Sequence, residues 1–239
     1  MKRVIALVAA ITLLSCPAPG WTATLPPPNS VAAEYNVYWN GIHVAVMTES
    51  FEAKDGGYRI VSHSQAVGLV SLFVRQPLRL LSSGRLTAAG LQPQHFEGKR
   101  SDSDPRRASA EFDWPAGQLK ITHDGKSEQL KLPPATQDLL SAMYQFMFLE
   151  LESLQRFELS MTNGRKLNQH WYAVRSGVEI ETPLGRMTTV HVVKQHRPDE
   201  SGAEIWLAPQ HRHLPVRMLV LDEDGGRYEQ VLVKIELKP

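Results

Sequence analysis

Gln230-Val231-Leu232-Val233-Lys234-Ile235-Glu236-Leu237 is the stretch whose pattern decides the fold. Val231, Val233, Ile235 and Leu237 share one face, Gln230, Lys234 and Glu236 take the other, and only Leu232 spoils the alternation. A period of two belongs to a strand with one side on a core and the other in water. The preceding run, Leu214 to Leu221, pairs with it across a turn at Asp222–Gly226. Further back, Ile42, Val44 and Val46 share a face opposite His43, Ala45 and Met47, and Asp55-Gly56-Gly57 turns the chain into Tyr58-Arg59-Ile60-Val61. An Asp-Gly step between two such runs is a strong hairpin signal. Similar turns recur at Ser83-Gly84, Ala116-Gly117, Asp124-Gly125, Asn163-Gly164, Leu184-Gly185 and Ser201-Gly202. This spacing predicts a mainly β domain: a strongly curved antiparallel sheet, as a half-barrel or a sandwich-like barrel.

One segment departs from period two. Asp138 to Leu151 reads DLLSAMYQFMFLEL after a stop at Pro133-Pro134. Leu140, Met143, Tyr144, Met147 and Leu151 recur at helical spacing, and Leu139, Ala142, Phe146, Phe148 and Leu149 fill most of the remaining circumference. The expectation is a helix over about 137–151, with Thr136 as N-cap and Asp138 in the first turn. A helix apolar nearly all round must be buried on most sides. In a β-rich domain it would lie inside the curl of the sheet. The shorter apolar stretch Val67 to Val74 reads as a helical turn or a strand end packing nearby.

The first 23 residues give an address. Lys2 and Arg3 precede an apolar run from Val4 to Leu14, too short to span a bilayer, then a break at Pro17, Pro19 and Gly20. That is the form of a secretory signal. Leu13-Leu14-Ser15-Cys16 resembles a lipobox, in which Cys16 becomes the lipidated first residue of the mature protein; the alternative is cleavage near Ala23. Cys16 is the chain's one cysteine, so a disulfide within the fold is excluded. The proline-rich residues 24–32 read as a tether and 33–239 as a single β-rich domain, with Pro133-Pro134 its only seam. The expected location is the periplasm of a Gram-negative bacterium, with membrane contact through an outer-membrane anchor if Cys16 is modified.

Composition narrows the classes of function. Without Lys2 and Arg3, 24 of the 26 basic residues face 25 acidic ones, which gives no electrostatic case for nucleic acid. At 42% hydrophobic and 21% charged the chain can build a core. No Gly-x-Ser-x-Gly elbow, His-Glu-x-x-His motif, P-loop or dinucleotide glycine fingerprint occurs, and no cofactor is expected. His211 and His213 are the only tight histidine pair, a weak metal candidate if both lie on one strand and otherwise part of a solvated loop. Lys99 to Arg107 mixes charge signs around Pro105 and reads as an exposed hairpin loop. The sharper alternative there is a ligand phosphate held by Arg106 and Arg107.

With these runs in place, the chain resembles the bacterial exported family called domain of unknown function 3108. The resemblance rests on Ala33-Glu34-Tyr35 with Tyr38, Gly84 followed by Gly90-Leu91-Gln92-Pro93, and Asp138-Leu139-Leu140-Ser141-Ala142. It continues through Glu181-Thr182-Pro183-Leu184-Gly185 and Ile205-Trp206-Leu207-Ala208-Pro209 to Leu214-Pro215-Val216-Arg217. It implies an extracytoplasmic β-rich domain and carries no catalytic residue. The architecture is also similar to the curved sheets of lipoprotein carriers, an analogy of fold alone.

The leading expectation is a non-enzymatic envelope protein that holds a lipid, an acyl chain or another amphipathic ligand between sheet and helix. Leu140, Met143, Tyr144, Met147, Trp171 and Trp206 would line that space. A second reading is an interaction protein that docks an envelope partner. A third is a hydrolase of envelope glycan or lipid, which needs His211, His213 and a carboxylate to converge.

Overall fold

The computed structural model describes residues 27–73, 76–101, 103–197 and 200–238. The leader, Cys16 and the first part of the tether lie outside the described residues. The strands are β1 Ser30–Trp39, β2 Ile42–Lys54, β3 Gly57–Ala66, β4 Leu78–Thr87 and β5 Gly90–Lys99. They continue as β6 Ala108–Asp113, β7 Gln118–His123, β8 Lys126–Lys131 and the two-residue β9 Gln137–Asp138. After the helix α1, Leu139–Gln145, come β10 Arg156–Thr162, β11 Leu167–Thr182 and β12 Gly185–Lys194. The last are β13 Gly202–Ala208, β14 Leu214–Leu221 and β15 Arg227–Lys238.

All fifteen form one curved sheet in the order β8-β7-β6-β5-β4-β3-β2-β1-β15-β14-β13-β12-β11-β10-β9. Every neighbour is its partner's successor in sequence, except where β1 pairs with β15, Val31 opposite Leu237. Two meandering wings therefore meet at the strand whose alternation was read first, and β8 and β9 are left as open edges. The sheet is a half-barrel curled on itself. Asp55 and Gly56, both at positive φ, make the two-residue turn between β2 and β3, as Asp-Gly predicts. The core face of β2 carries Met47 and Phe51, so Val46 points outward and is only half-buried, while Val44, at the register shift opposite Val37 and Tyr38, packs against the core of Ala33, Tyr35 and Met47. β1 begins at Ser30, inside the stretch assigned to the tether, because Val31 is fully buried in the first wing.

The apolar segment lies inside the curl, as its all-round hydrophobicity requires. Leu140, Tyr144 and Phe148 pack into the first wing with Phe51, Ile60 and Phe96. Ala142, Phe146 and Leu149 pack into the second with Phe157, Val190 and Leu207. Residues four apart stack on one face of a helix, so one short rod supplies both cores.

The helix is shorter than expected. Its α-helical part covers Leu139–Gln145, a 3₁₀ turn continues over Phe146–Phe148, and a second spans Leu151–Ser153. Gln137 and Asp138 instead pair parallel with Met161 and Thr162, the one parallel contact in an otherwise antiparallel sheet. The N-cap is Asp138, not Thr136. The Asp138 carboxylate accepts the Leu140 and Ser141 amides at 2.9 Å, while Ser141 Oγ accepts the Asp138 amide at 2.9 Å. This reciprocal box fixes the start of the helix. Thr136 spends its hydroxyl on the Pro133 carbonyl. The stretch from Val67 also differs: Gly68–Leu72 is a 3₁₀ turn with no buried residue, so it stands out from the fold rather than packing against it.

Antiparallel neighbours reverse direction, so their connections alternate between the two ends of the barrel. Ser30 and Lys238 share one rim. The opposite rim carries the β1–β2 turn, the loops 67–77, 100–107 and 195–201, and the β10–β11 turn. On that rim Arg165, in the β10–β11 turn, bridges the two open edges. Its guanidinium donates to Asp124 at 3.0 Å and to the Arg106 carbonyl.

Candidate functional site

A cavity of about 300 Å³ lies above the start of α1 and opens on the loop-bearing rim. Its walls are Leu78 and Leu80 of β4, Phe96 and Gly98 of β5 and Ala108 of β6, and Leu139 forms the floor. Each strand residue points inward by period two, and each sits near the rim end of its strand. Leu139 opens the helix directly after the Asp138 cap. It is 37% exposed, into this space rather than into the core.

The mouth is cationic. Lys99, Arg100, Arg106 and Arg165 line it against the single carboxylate of Asp104. Asp104 organises the loop by accepting the Arg100 amide at 2.8 Å and the Arg106 amide at 3.0 Å. Those backbone bonds, Arg106 first, hold its carboxyl below the usual range. Arg100 donates from Nη1 to the Gln76 carbonyl at 3.0 Å, which ties this loop to loop 67–77. Arg106 lines the mouth with its Nε 3.7 Å from Asp104, while Arg107 turns away to Glu97. An apolar floor beneath clustered guanidinium groups suits one kind of small molecule: an apolar chain ending in an anionic group.

Beneath the floor runs a buried polar chain. Ser82 donates to Asp138 Oδ2 at 2.5 Å, and the Tyr58 hydroxyl lies 3.1 Å from Ser82 Oγ. On the far side of Phe51, whose ring stacks 5.3 Å from that of Tyr144, the Tyr144 hydroxyl donates to Glu49 at 3.2 Å. Burial pushes the Glu49 carboxyl up to about 7 and that of Asp138 up to about 6. Both folded values lie above the unfolded ones, so the folded chain holds protons that the unfolded chain has released. Stability contributed this way is full below about pH 4 and falls as pH rises through about 6 to 7. Glu49→Gln keeps an acceptor for Tyr144 and removes the upper titration. At pH 8 it is expected to be about 2 kcal/mol more stable than wild type, with the decline in urea midpoint between about pH 6 and 7 flattened and the Asp138 part below pH 6 retained. An unchanged decline would contradict this placement of Glu49.

The residues expected to line the ligand space are dispersed. Leu140 and Tyr144 are buried in the first wing, and Met143 packs between the two wings. Met147 borders a separate groove of about 330 Å³ with Leu149, Glu152 and His213. Trp206 is buried on the opposite side of β13 from Ile205 and Leu207, with the His191 ring 4.5 Å and the Arg217 guanidinium 4.9 Å from its own ring. Trp171 is exposed under Arg156. His211 and His213 do not lie on one strand. His211 ends a 3₁₀ turn, and Arg212 and His213 both take left-handed φ, which redirects the second imidazole to Glu152 at 2.7 Å. Among the described residues no three His, Cys, Asp or Glu side chains are placed to hold a metal ion. The cavity residues Leu78, Leu80 and Phe96 look like ordinary core in sequence; only the charged stretch Lys99 to Arg107, which supplies Lys99, Arg100, Asp104 and Arg106, carries a local signal.

A family model described as "Protein of unknown function (DUF3108)" matches residues 34–233, from β1 into β15. The chain belongs to this family. The family strings fall on the joints of the fold: Gly90 and Leu91 are clasped by Gln145, which accepts the Leu91 amide and donates to the Ala89 carbonyl, each at 2.7 Å. The chain is also similar to a β-barrel-like protein of family DUF1849 from Brucella abortus, at 12% identity and TM-score 0.54, covering 89% of this chain and 99% of that one. That likeness shows the fold alone. A candidate lipoprotein of Parabacteroides distasonis (11% identity, TM-score 0.33) and a Bacteroides fragilis protein with a YmcC-like fold (11%, 0.32) match more loosely. Each covers 90% of this chain and 99% of its own. No curated protein matches the chain.

Proposed function

We propose that this family member is a non-enzymatic envelope protein that binds a single-chain anionic amphiphile, with the apolar chain on Leu139 and the acidic head among Arg100, Arg106 and Arg165. The cavity carries this reading: it is greasy at its floor and cationic at its mouth. Transfer of an acyl chain from water contributes about 0.8 kcal/mol per buried CH₂. A charge-assisted bond to a guanidinium contributes about 1.5–3 kcal/mol. Six buried methylenes with one such bond give roughly 6–8 kcal/mol before association costs, which sets a micromolar ceiling on affinity that longer chains would be needed to reach. The secretory leader supports an extracytoplasmic setting, with lipidation of Cys16 as the finer form of that reading.

Leu139→Glu tests it. A glutamate at the first helical position favours the helix, so the fold stays intact while a like charge enters the floor. The expected result is loss of dansyl-undecanoate fluorescence enhancement by more than about tenfold in affinity, at unchanged melting temperature. Dodecanoate and dodecyl phosphate should displace the probe from wild type, and dodecanol should displace it poorly. Equal binding by wild type and Leu139→Glu would refute the site, and equal competition by dodecanol would refute the role of the arginines.

A further inference from the structure

Apolar side chains crowd one part of the loop-bearing rim. In loop 67–77 Leu69 is 80% exposed, Leu72 65% and Phe73 86%, and on the same rim Ile42, the first residue of β2, is 67% exposed. Leu69 and Leu72 lie three apart on a 3₁₀ turn, so they eclipse one another and point the same way. The Val67 amide donates to the Val44 carbonyl at 2.9 Å, which holds the base of the loop against β2 and brings Ile42 to the same patch. Soluble chains rarely present several large apolar residues at such exposure on one protrusion. Loop 67–77 is also joined to the cavity mouth through Arg100 and Gln76.

The surrounding charge indicates what covers this patch. Among the described residues, the rim segments 76–79, 99–107 and 163–166 carry seven basic residues against Asp104, with Arg107 paired to Glu97 and Arg165 to Asp124, while the β14–β15 turn on the same rim adds Asp222, Glu223 and Asp224. An apolar tip with lysine and arginine along its β4–β6 side is complementary to an anionic bilayer surface, where apolar side chains enter the acyl boundary and cations meet headgroups. We infer that loop 67–77 inserts Leu69, Leu72 and Phe73 into the surface of a membrane containing anionic lipid, setting the loop-bearing rim on that surface. This contact is separate from any anchor at Cys16, since both Ser30 and Lys238 lie on the opposite rim. It goes beyond the ligand reading, and the two fail independently: Leu139→Glu leaves it untouched.

Two full-length chains with Cys16→Ser test it, one carrying Phe73→Cys and the other Leu184→Cys in the β11–β12 turn of the far rim, each labelled with a nitrobenzoxadiazole dye. With vesicles of phosphatidylethanolamine and phosphatidylglycerol, emission at position 73 should rise several-fold and shift to the blue, while that at 184 stays constant. Adding Leu69→Ser and Leu72→Ser to the Phe73→Cys chain should lower vesicle partitioning about a hundredfold. Phosphatidylcholine vesicles or high salt should weaken the response. No change at 73, equal changes at both positions, or undiminished partitioning of the serine variant would overturn the proposal.

Discussion

Asp138→Ala is expected to remove about 4 kcal/mol of stability, a loss few domains of this size tolerate comfortably. Three groups lose their acceptor at once: the Leu140 and Ser141 amides and the Ser82 hydroxyl, all buried. Loss of an N-cap alone costs about 0.5–2 kcal/mol. Each buried donor left without an acceptor adds about 1–3 kcal/mol, and part of that is relieved where water enters the gap. The freed helix start also releases the parallel pairing of β9 with β10. For a domain of this size the melting temperature should fall by about 10 °C, read by circular dichroism. Asp138→Asn retains an oxygen for the cap and should cost far less. If both variants melt with the wild type, the capping box does not organise the helix.

Gly84→Ala is expected to be comparably damaging for a different reason. Gly84 lies where the β4–β5 register shifts, and its backbone is not left-handed. A Cβ there would run into the Gln92 carbonyl oxygen and come within 2.8 Å of Pro93 Cα and 2.9 Å of the Tyr58 ring. Two of the three obstacles are backbone, so relief requires the hairpin to separate. Separation would pull on Leu91, held by Gln145, and on Pro93, whose carbonyl accepts the Trp114 indole at 2.6 Å. A cost of roughly 3 kcal/mol or more, with poor soluble yield, is expected. By contrast Gly117→Ala, where nothing lies within 4 Å, meets only the strain of its positive φ and should cost about 1 kcal/mol. Equal stability of the two variants would remove the steric account.

These two residues show what the sequence makes legible and what it does not. Strand alternation at Val231–Leu237 and the Asp55-Gly56 turn are local signals, and they lead directly to the meander. The burial of the Leu139–Leu151 segment was equally readable, because a rod apolar on every side has nowhere else to go. Its length was not. The helix tightens to a 3₁₀ turn at Phe146–Phe148 and the chain becomes extended at Leu149, an end with no Gly or Pro to mark it in the local pattern. Asp138 as the cap was concealed by Thr136, an equally good candidate two residues earlier; only the pairing of Gln137 and Asp138 with β10 decides between them.

The site was harder still. Met143, Met147, Trp171 and Trp206 drew attention because of their residue types, and they scatter over the core, a groove and both faces of the sheet. The cavity is assembled from the rim ends of three strands, a long loop and the first residue of a helix, spanning Leu78 to Arg165 in sequence. No window of sequence contains it. The charged loop Lys99 to Arg107 is visible in sequence, but Arg107 turns to Glu97, and Arg100 and Arg165 join Arg106 only when Asp104 and Asp124 hold the loops in place. The exposed apolar loop has the same character. Leu69, Leu72 and Phe73 read as core until the 3₁₀ turn is seen to stand clear of it.

The most direct measurement is native mass spectrometry of the full chain and of Leu139→Glu, each released gently from the envelope of the cells that make it. The wild-type protein should carry one added mass that dissociates as an anionic single-chain amphiphile, and the variant should fly bare at the same charge states. A bare wild-type chain, or the same adduct on both proteins, would contradict a ligand seated on Leu139.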